Sequence, residues 1–251
     1  LAYMYYYGNG KARDTVKAAE CFEQSFSAIQ TKAKGGNTLF QYILHWIYED
    51  HLKDESMALF WLKEAALNNY AIAEYWLGYF YRYGKGIEKD SLEASKWYRR
   101  SAEKGFAMAQ YDIGNMYYSG YGVEKDPYEA ITWFRKAAEQ DYTRAHYNLG
   151  LMYRNGYGVD KDYAQALKWI EKAAEKDHAP SQNLLGLMCQ NGEGMDTSYR
   201  LAVKWFRKAA RQGNMSAQFN LAYMYRKGYG VEMDYNEAVK LYRKAADQGS
   251  A

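Results

Sequence analysis

The chain has 251 residues, 48% of them hydrophobic, with 28 Tyr, 7 Trp and only 2 Pro; this is enough apolar material for a core and excludes an intrinsically disordered chain. Its 33 basic and 30 acidic residues lie in small mixed clusters, for a net charge of +3, and that balance argues against nucleic acid as the partner. Two cysteines, Cys21 and Cys189, are too few for a disulfide framework or a zinc site, and no apolar run reaches the roughly 18 residues that would span a membrane.

Leu1 to Tyr7 reads as the middle of a helix, with no initiator Met and no signal peptide, so the chain is expected to be an excerpt of a longer one. Leu1-Ala-Tyr-Met-Tyr5, Gly8-Asn9-Gly10, Asp14, Ala18 and Phe22 match Leu221 to Tyr242 at a constant offset, which makes 1–34 a truncated first repeat. Its second helix is expected to be longer than its counterparts, because Asp14 to Asp54 is a step of 40 residues and later steps are 36. Residues 35–70 form an irregular repeat: Leu44 replaces a glycine, and Tyr48-Glu-Asp50 stands where later repeats have Gly-x-Gly. It reads either as a decayed terminal repeat or as a bend that reshapes a binding groove.

Five regular repeats follow at 71–106, 107–142, 143–178, 179–214 and 215–250, each a helix A and a helix B. Helix A recurs at Ala71 to Tyr81, Ala107 to Tyr117, Thr143 to Tyr153, Ala179 to Cys189 and Met215 to Tyr225. Within it Gly78, Gly114, Gly150, Gly186 and Ala222 form a column where a missing side chain lets helix B approach. Glycine turns such as Gly156-Tyr157-Gly158 end helix A, and Ile87, Val123, Val159, Met195 or Val231 then anchors the loop to the core. Helix B starts at an N-cap, Asp90, Asp126, Asp162 or Asp234, with Glu93, Glu129, Gln165 or Glu237 completing a capping box. Its apolar face carries Ala94, Trp97-Tyr98 and Ser101-Ala102, and in the next repeat Ala130, Trp133-Phe134 and Ala137-Ala138. Asn69, Gly105, Asp141, Asp177, Gly213 and Gly249 tolerate the left-handed conformation that ends such helices, for a length of about 14 residues.

Together these columns resemble the Sel-one-like repeat (SLR), a relative of the tetratricopeptide repeat. Ala145-His-Tyr-Asn-Leu-Gly150, Gly156-Tyr-Gly-Val159, Asp162, Ala166 and Trp169 to Ala174 carry the resemblance most closely. It implies an all-α, right-handed α/α superhelical solenoid of about 36-residue helix-turn-helix repeats, acting as an interaction scaffold or adaptor with helix A lining the concave side. Relatives of this kind act in bacterial envelope and host contact or in the endoplasmic reticulum; the chain itself names no compartment. Some relatives carry a disulfide in every repeat. This chain lacks those cysteines, so the penicillin-binding or enzymatic behaviour of that branch is not carried over.

Chemistry is sparse elsewhere. His45, His51, His146 and His178 occupy different columns, with no HExxH or comparable ligand set, so no metal or other cofactor is expected. The Gly-x-Gly turns link two helices in every repeat, which makes them geometric and not phosphate cradles. Recurrent loop charges such as Glu124-Lys125-Asp126 cap and solubilise, whereas acid-base catalysis needs one unique constellation; the chain is expected not to be an enzyme. Binding is expected where repeats differ, on the helix-A stripe at i, i+4, i+7 and i+11. There Trp76, Tyr79, Tyr83, Asp112, Asn115, Arg144, Asn148, Asn155, Asn220, Tyr223 and Lys227 are the candidate residues for a partner protein or peptide. The alternative is a polysaccharide or peptidoglycan binder that uses Tyr121, Tyr157 and Tyr229. No capping helix follows Ser250-Ala251, so either more protein or self-association through the solenoid ends is expected.

Overall fold

The computed structural model describes residues 15–249, with side chains from Glu23 onward. Leu1 to Asp14, the side chains of Ala18, Cys21 and Phe22, and Ser250-Ala251 lie outside the described residues, and with them most of the first-repeat assignment. The fold is an all-α repeat solenoid. Its helices are α1 (Thr15–Lys34), α2 (Thr38–Trp46), α3 (Glu55–Leu67), α4 (Ala71–Tyr83), α5 (Ser91–Glu103), α6 (Ala107–Ser119), α7 (Pro127–Glu139), α8 (Thr143–Asn155), α9 (Tyr163–Glu175), α10 (Ala179–Asn191), α11 (Tyr199–Arg211), α12 (Met215–Lys227) and α13 (Tyr235–Gly249). A π-helical segment, Ile47–Leu52, extends α2. The chain divides into two compact units, residues 1–109 and 110–251.

The helix ends follow from side-chain chemistry. Asp90, Asp126, Asp162 and Asp234 accept hydrogen bonds from backbone N–H groups two or three residues on, at 2.9–3.1 Å. Asp54 and Ser198 cap α3 and α11 the same way. The second half of the expected capping box is absent: the N-cap N–H of Asp90 donates to the carbonyl of Tyr81, Asp126 to Tyr117, Asp162 to Tyr153 and Asp234 to Tyr225. This backbone bond, 2.9–3.0 Å long, ties the start of helix B to the end of helix A, so the glutamate three residues on is free for other work. Asn69, Gly105, Asp141, Asp177 and Gly213 all have positive φ, as expected, whereas α13 runs through to Gly249. Helices B of the regular repeats up to α11 are 13 residues long, one fewer than the sequence suggests.

Two columns hold each helix pair together. In the first, a Cβ on Gly150 would stand 2.3 Å from Ile170 Cδ1, and on Gly186 2.5 Å from Phe206, so the ring or branch of helix B lies directly on the helix-A backbone. The second column is polar and buried: Gln41, Glu74, Gln110, His146, Gln182 and Gln218. Gln182 Nε2 donates to the carbonyl of Ala174 in the preceding helix B, and its Oε1 accepts from Gln212 Nε2 at the end of the following one, at 2.8 Å. Gln110–Gln140 and Gln218–Gln248 repeat the amide pair at the same length. Each pair satisfies buried polar atoms and staples helix A to its own helix B.

The irregular repeat has a physical cause. The α1 helix is 20 residues long, in keeping with the longer step before Asp54. Leu44 does not replace the glycine, contrary to the expectation from sequence. Gln41 donates to the Ala33 carbonyl as Gln182 does to that of Ala174, which puts Leu44, buried against Ala33 and Trp61, in the column of Leu77 and Leu185. His45 then stands where glycine stands elsewhere, its Nδ1 3.0 Å from the Ala58 carbonyl. Without a Gly-x-Gly turn the chain leaves helix A through the π-helical segment and a left-handed Lys53 at φ 56°.

Candidate protein-binding face

In residues 1–109, α4 buries Ala73, Glu74, Tyr75, Leu77, Gly78 and Phe80, which turns Ile72, Trp76, Tyr79 and Tyr83 to the other side. The Trp76 ring meets Trp46 edge-on at 5.9 Å and Tyr79 at 5.4 Å, and Tyr79 meets Tyr83 at 4.5 Å. The four rings form a continuous ladder that is open to solvent at Trp46, 36% exposed, and Tyr83, 57% exposed, while Trp76 and Tyr79 between them are half-buried against the core around Leu62, Leu77 and Phe80. Arg82 lies over the Tyr83 ring, and Lys85 pairs with Glu49 beside the ladder. Trp46 was not foreseen as a site residue. The signal was present: five of the seven Trp occupy the helix-B column, and the two that do not, Trp46 and Trp76, are in contact.

In residues 110–251 the same stripe is amide-rich. Asn148 Nδ2 donates to Asn115 Oδ1 at 3.1 Å and Asn220 Nδ2 to Asn183 Oδ1 at 2.9 Å, linking helices A of neighbouring repeats. Asn115, Asn148 and Asn220 therefore pack between repeats. Arg144, Asn155 and Lys227 are exposed; Asp112 and Tyr223 are half-buried, with Arg226 over the Tyr223 ring. Arg154 forks onto Glu193, Nε to Oε2 at 2.6 Å and the terminal amine to Oε1 at 2.9 Å, which holds the Glu193 carboxyl below its usual range.

Other expected chemistry is accounted for locally. His45 is buried, its Nδ1 3.0 Å from the Ala58 carbonyl, and burial pushes its pKa down, while His51 is exposed. Among the described residues no group of three or more His, Cys, Asp or Glu side chains is placed to hold a metal. Cys189 is free, and burial pushes its thiol up to about 11. No described helix is long and apolar enough to cross a membrane. Of the glycine-turn tyrosines, Tyr121 and Tyr157 are half-buried and Tyr229 is 38% exposed, stacked on Tyr199 at 4.8 Å.

Comparison with known proteins gives the same picture. The Sel1 repeat model matches residues 1–28, 49–70, 71–106, 107–142, 143–178, 179–214 and 216–250. A protective antigen present in uropathogenic Escherichia coli strains, displaying an SLR fold, is 37% identical with a TM-score of 0.84, over 89% of this chain and 48% of that one. The chain thus spans about half the length of that relative. A Sel1 repeat protein from Oxalobacter formigenes is 32% identical with a TM-score of 0.76, over 82% of this chain and 84% of that one. No curated protein matches. With nearly every segment of its helical array matched, this chain belongs to the Sel1 repeat family.

Proposed function

We propose that the chain is a non-catalytic scaffold that binds a partner protein or peptide on the helix-A faces of its two units. Sel1 repeat folds are in general protein–protein interaction scaffolds and typically non-catalytic. The observation that carries the reading is the ladder Trp46–Trp76–Tyr79–Tyr83. Contiguous aromatic rings outside the structural columns, reaching solvent at Trp46 and Tyr83, are the kind of anchors from which partner-binding energy is built. The exposed Arg144 and the amide pairs supply polar recognition on the second unit. A glycan-binding edge built from the glycine-turn tyrosines is less well supported, since Tyr121 and Tyr157 are half-buried and the Tyr229 ring is stacked on Tyr199.

A pulldown set beside a glycan array tests this. We expect a protein captured by the wild-type chain and lost with Trp76→Ala and Tyr79→Ala together, with the glycan array empty. Glycan signal that depends on Tyr229, with no such protein, would overturn the proposal.

A further inference from the structure

Helix α11 differs from every other helix B in its charge. It carries Arg200, Lys204, Arg207, Lys208 and Arg211 and no acidic residue, at i, i+4, i+7, i+8 and i+11 on one face. Five of the chain's 33 basic residues and none of its 30 acidic ones lie here, so the rest of the protein, 28 against 30, is net negative. The last position of this column is Glu103, Glu139, Glu175 or Asp247 in the other regular repeats, and Arg211 here. Helix stability does not explain the pattern. Lys208 and Arg211 suit the last turn of a helix, but Arg200 sits in the first turn, where the macrodipole disfavours a cation.

The charges are also available. Arg200, Lys204, Lys208 and Arg211 are exposed, and no ion pair to any of the five is present among the described residues. Arg207 is held in place by donating to Tyr225 Oη at 2.8 Å. Beside them, Leu201, Val203 and Gly230 line a groove of about 450 Å³ rimmed by the basic side chains. Leu201 is 43% exposed at its edge.

We infer that α11 is a second docking face, distinct from the helix-A faces, for an acidic segment of a partner protein carrying both carboxylates and apolar side chains. Carboxylates at helical spacing meet the five cations, and the apolar groove takes the side chains between them. A nucleic acid backbone would use the charge and leave the apolar groove empty.

Display of a random library of peptides of about 12 residues, the length of the basic stripe, on the whole chain at physiological salt tests this. The two baits are the wild type and the variant combining Arg200→Gln, Lys204→Gln and Arg211→Gln. We expect peptides that combine Asp or Glu with apolar residues, binding the variant at least about tenfold more weakly. The melting temperature of the variant is expected to be undiminished, and binding to survive Trp76→Ala, which separates this face from the ladder. The inference is overturned if no acidic peptide is lost in the variant, or if those peptides are lost with Trp76→Ala instead. It is equally overturned if replacing their apolar residues by Ser leaves affinity intact, or if a single-stranded oligonucleotide binds more tightly than they do.

Discussion

The helix-A stripe of residues 71–83 and that of residues 143–155 sit on the same helical frame and present opposite chemistry. Both helices are 13 residues, bury a glycine under a helix-B side chain and end at a left-handed glycine. On the side away from helix B one then carries Trp76, Tyr79 and Tyr83, of which Tyr83 is exposed, and the other Arg144, Asn148 and Asn155, of which Arg144 and Asn155 are exposed. The difference teaches that columns shared by the repeats carry stability, while positions private to one repeat are free to carry recognition. The buried polar column makes the point from the inside: Glu74 replaces Gln there and recruits Arg100 and Lys104, whereas His146 keeps the same helix-B carbonyl, that of Ala138, that Gln182 and Gln218 reach in their repeats.

That division breaks first at the shared columns. Trp133 is 5% exposed, and Trp133→Ala is expected to cost about 3–5 kcal/mol through a core cavity, read as denaturant midpoint at constant slope. Glu74 offers a comparably large effect with a built-in control. Its side chain is fully buried, with Arg100 Nε at 3.0 Å and Lys104 Nζ at 2.7 Å from the same oxygen. Replacing both cations by Gln strands a carboxylate and is expected to cost about 3–5 kcal/mol. Adding Glu74→Gln recreates the Gln–Gln staple of the other repeats and is expected to restore most of it. No recovery in the triple variant would mean that the column is not interchangeable between repeats.

Gly150→Leu forces a side chain into Ile170, with overpacking expected to cost about 1–3 kcal/mol or more; an unchanged thermal melt would mean that helices A and B do not touch there. The smallest effect is a pH limb. His146 is buried, its Nε2 3.0 Å from the Ala138 carbonyl, its ring stacked on Trp169, with Asp141, Lys172 and Lys176 around it. Burial lowers its pKa, so between that value and about 6.5 the unfolded chain binds the proton that the folded one refuses, and stability falls as pH falls. His146→Gln is expected to make this limb shallower, by about 1 kcal/mol or less between pH 7 and 5. His45 and His178, also shifted down, keep part of it.

Much of this architecture was legible because each column repeats one chemical type. Asp at an N-cap, Asn, Asp or Gly at a left-handed end and Gly under a bulky ring are local rules, and five copies make them plain. The second half of the capping box was misread because the N-cap N–H finds a nearer acceptor across the turn, a tertiary contact that spacing alone does not reveal. The buried polar column escaped notice since Gln, Glu and His read as surface residues until the amide pairs show them to be satisfied inside. Trp46 was missed for a related reason: its place in the ladder depends on the path of an irregular repeat, which no period describes.

The central claim is that stability and recognition reside in different tryptophans, and one paired measurement tests it: melting temperature and partner affinity of Trp133→Ala beside those of Trp76→Ala with Arg144→Ala. The account predicts a strongly lowered melt for the first variant. For the second it predicts a nearly unchanged melt with affinity weakened by about 2 kcal/mol or more. Full affinity in the Trp76 and Arg144 variant, or a collapse of its fold, would contradict it.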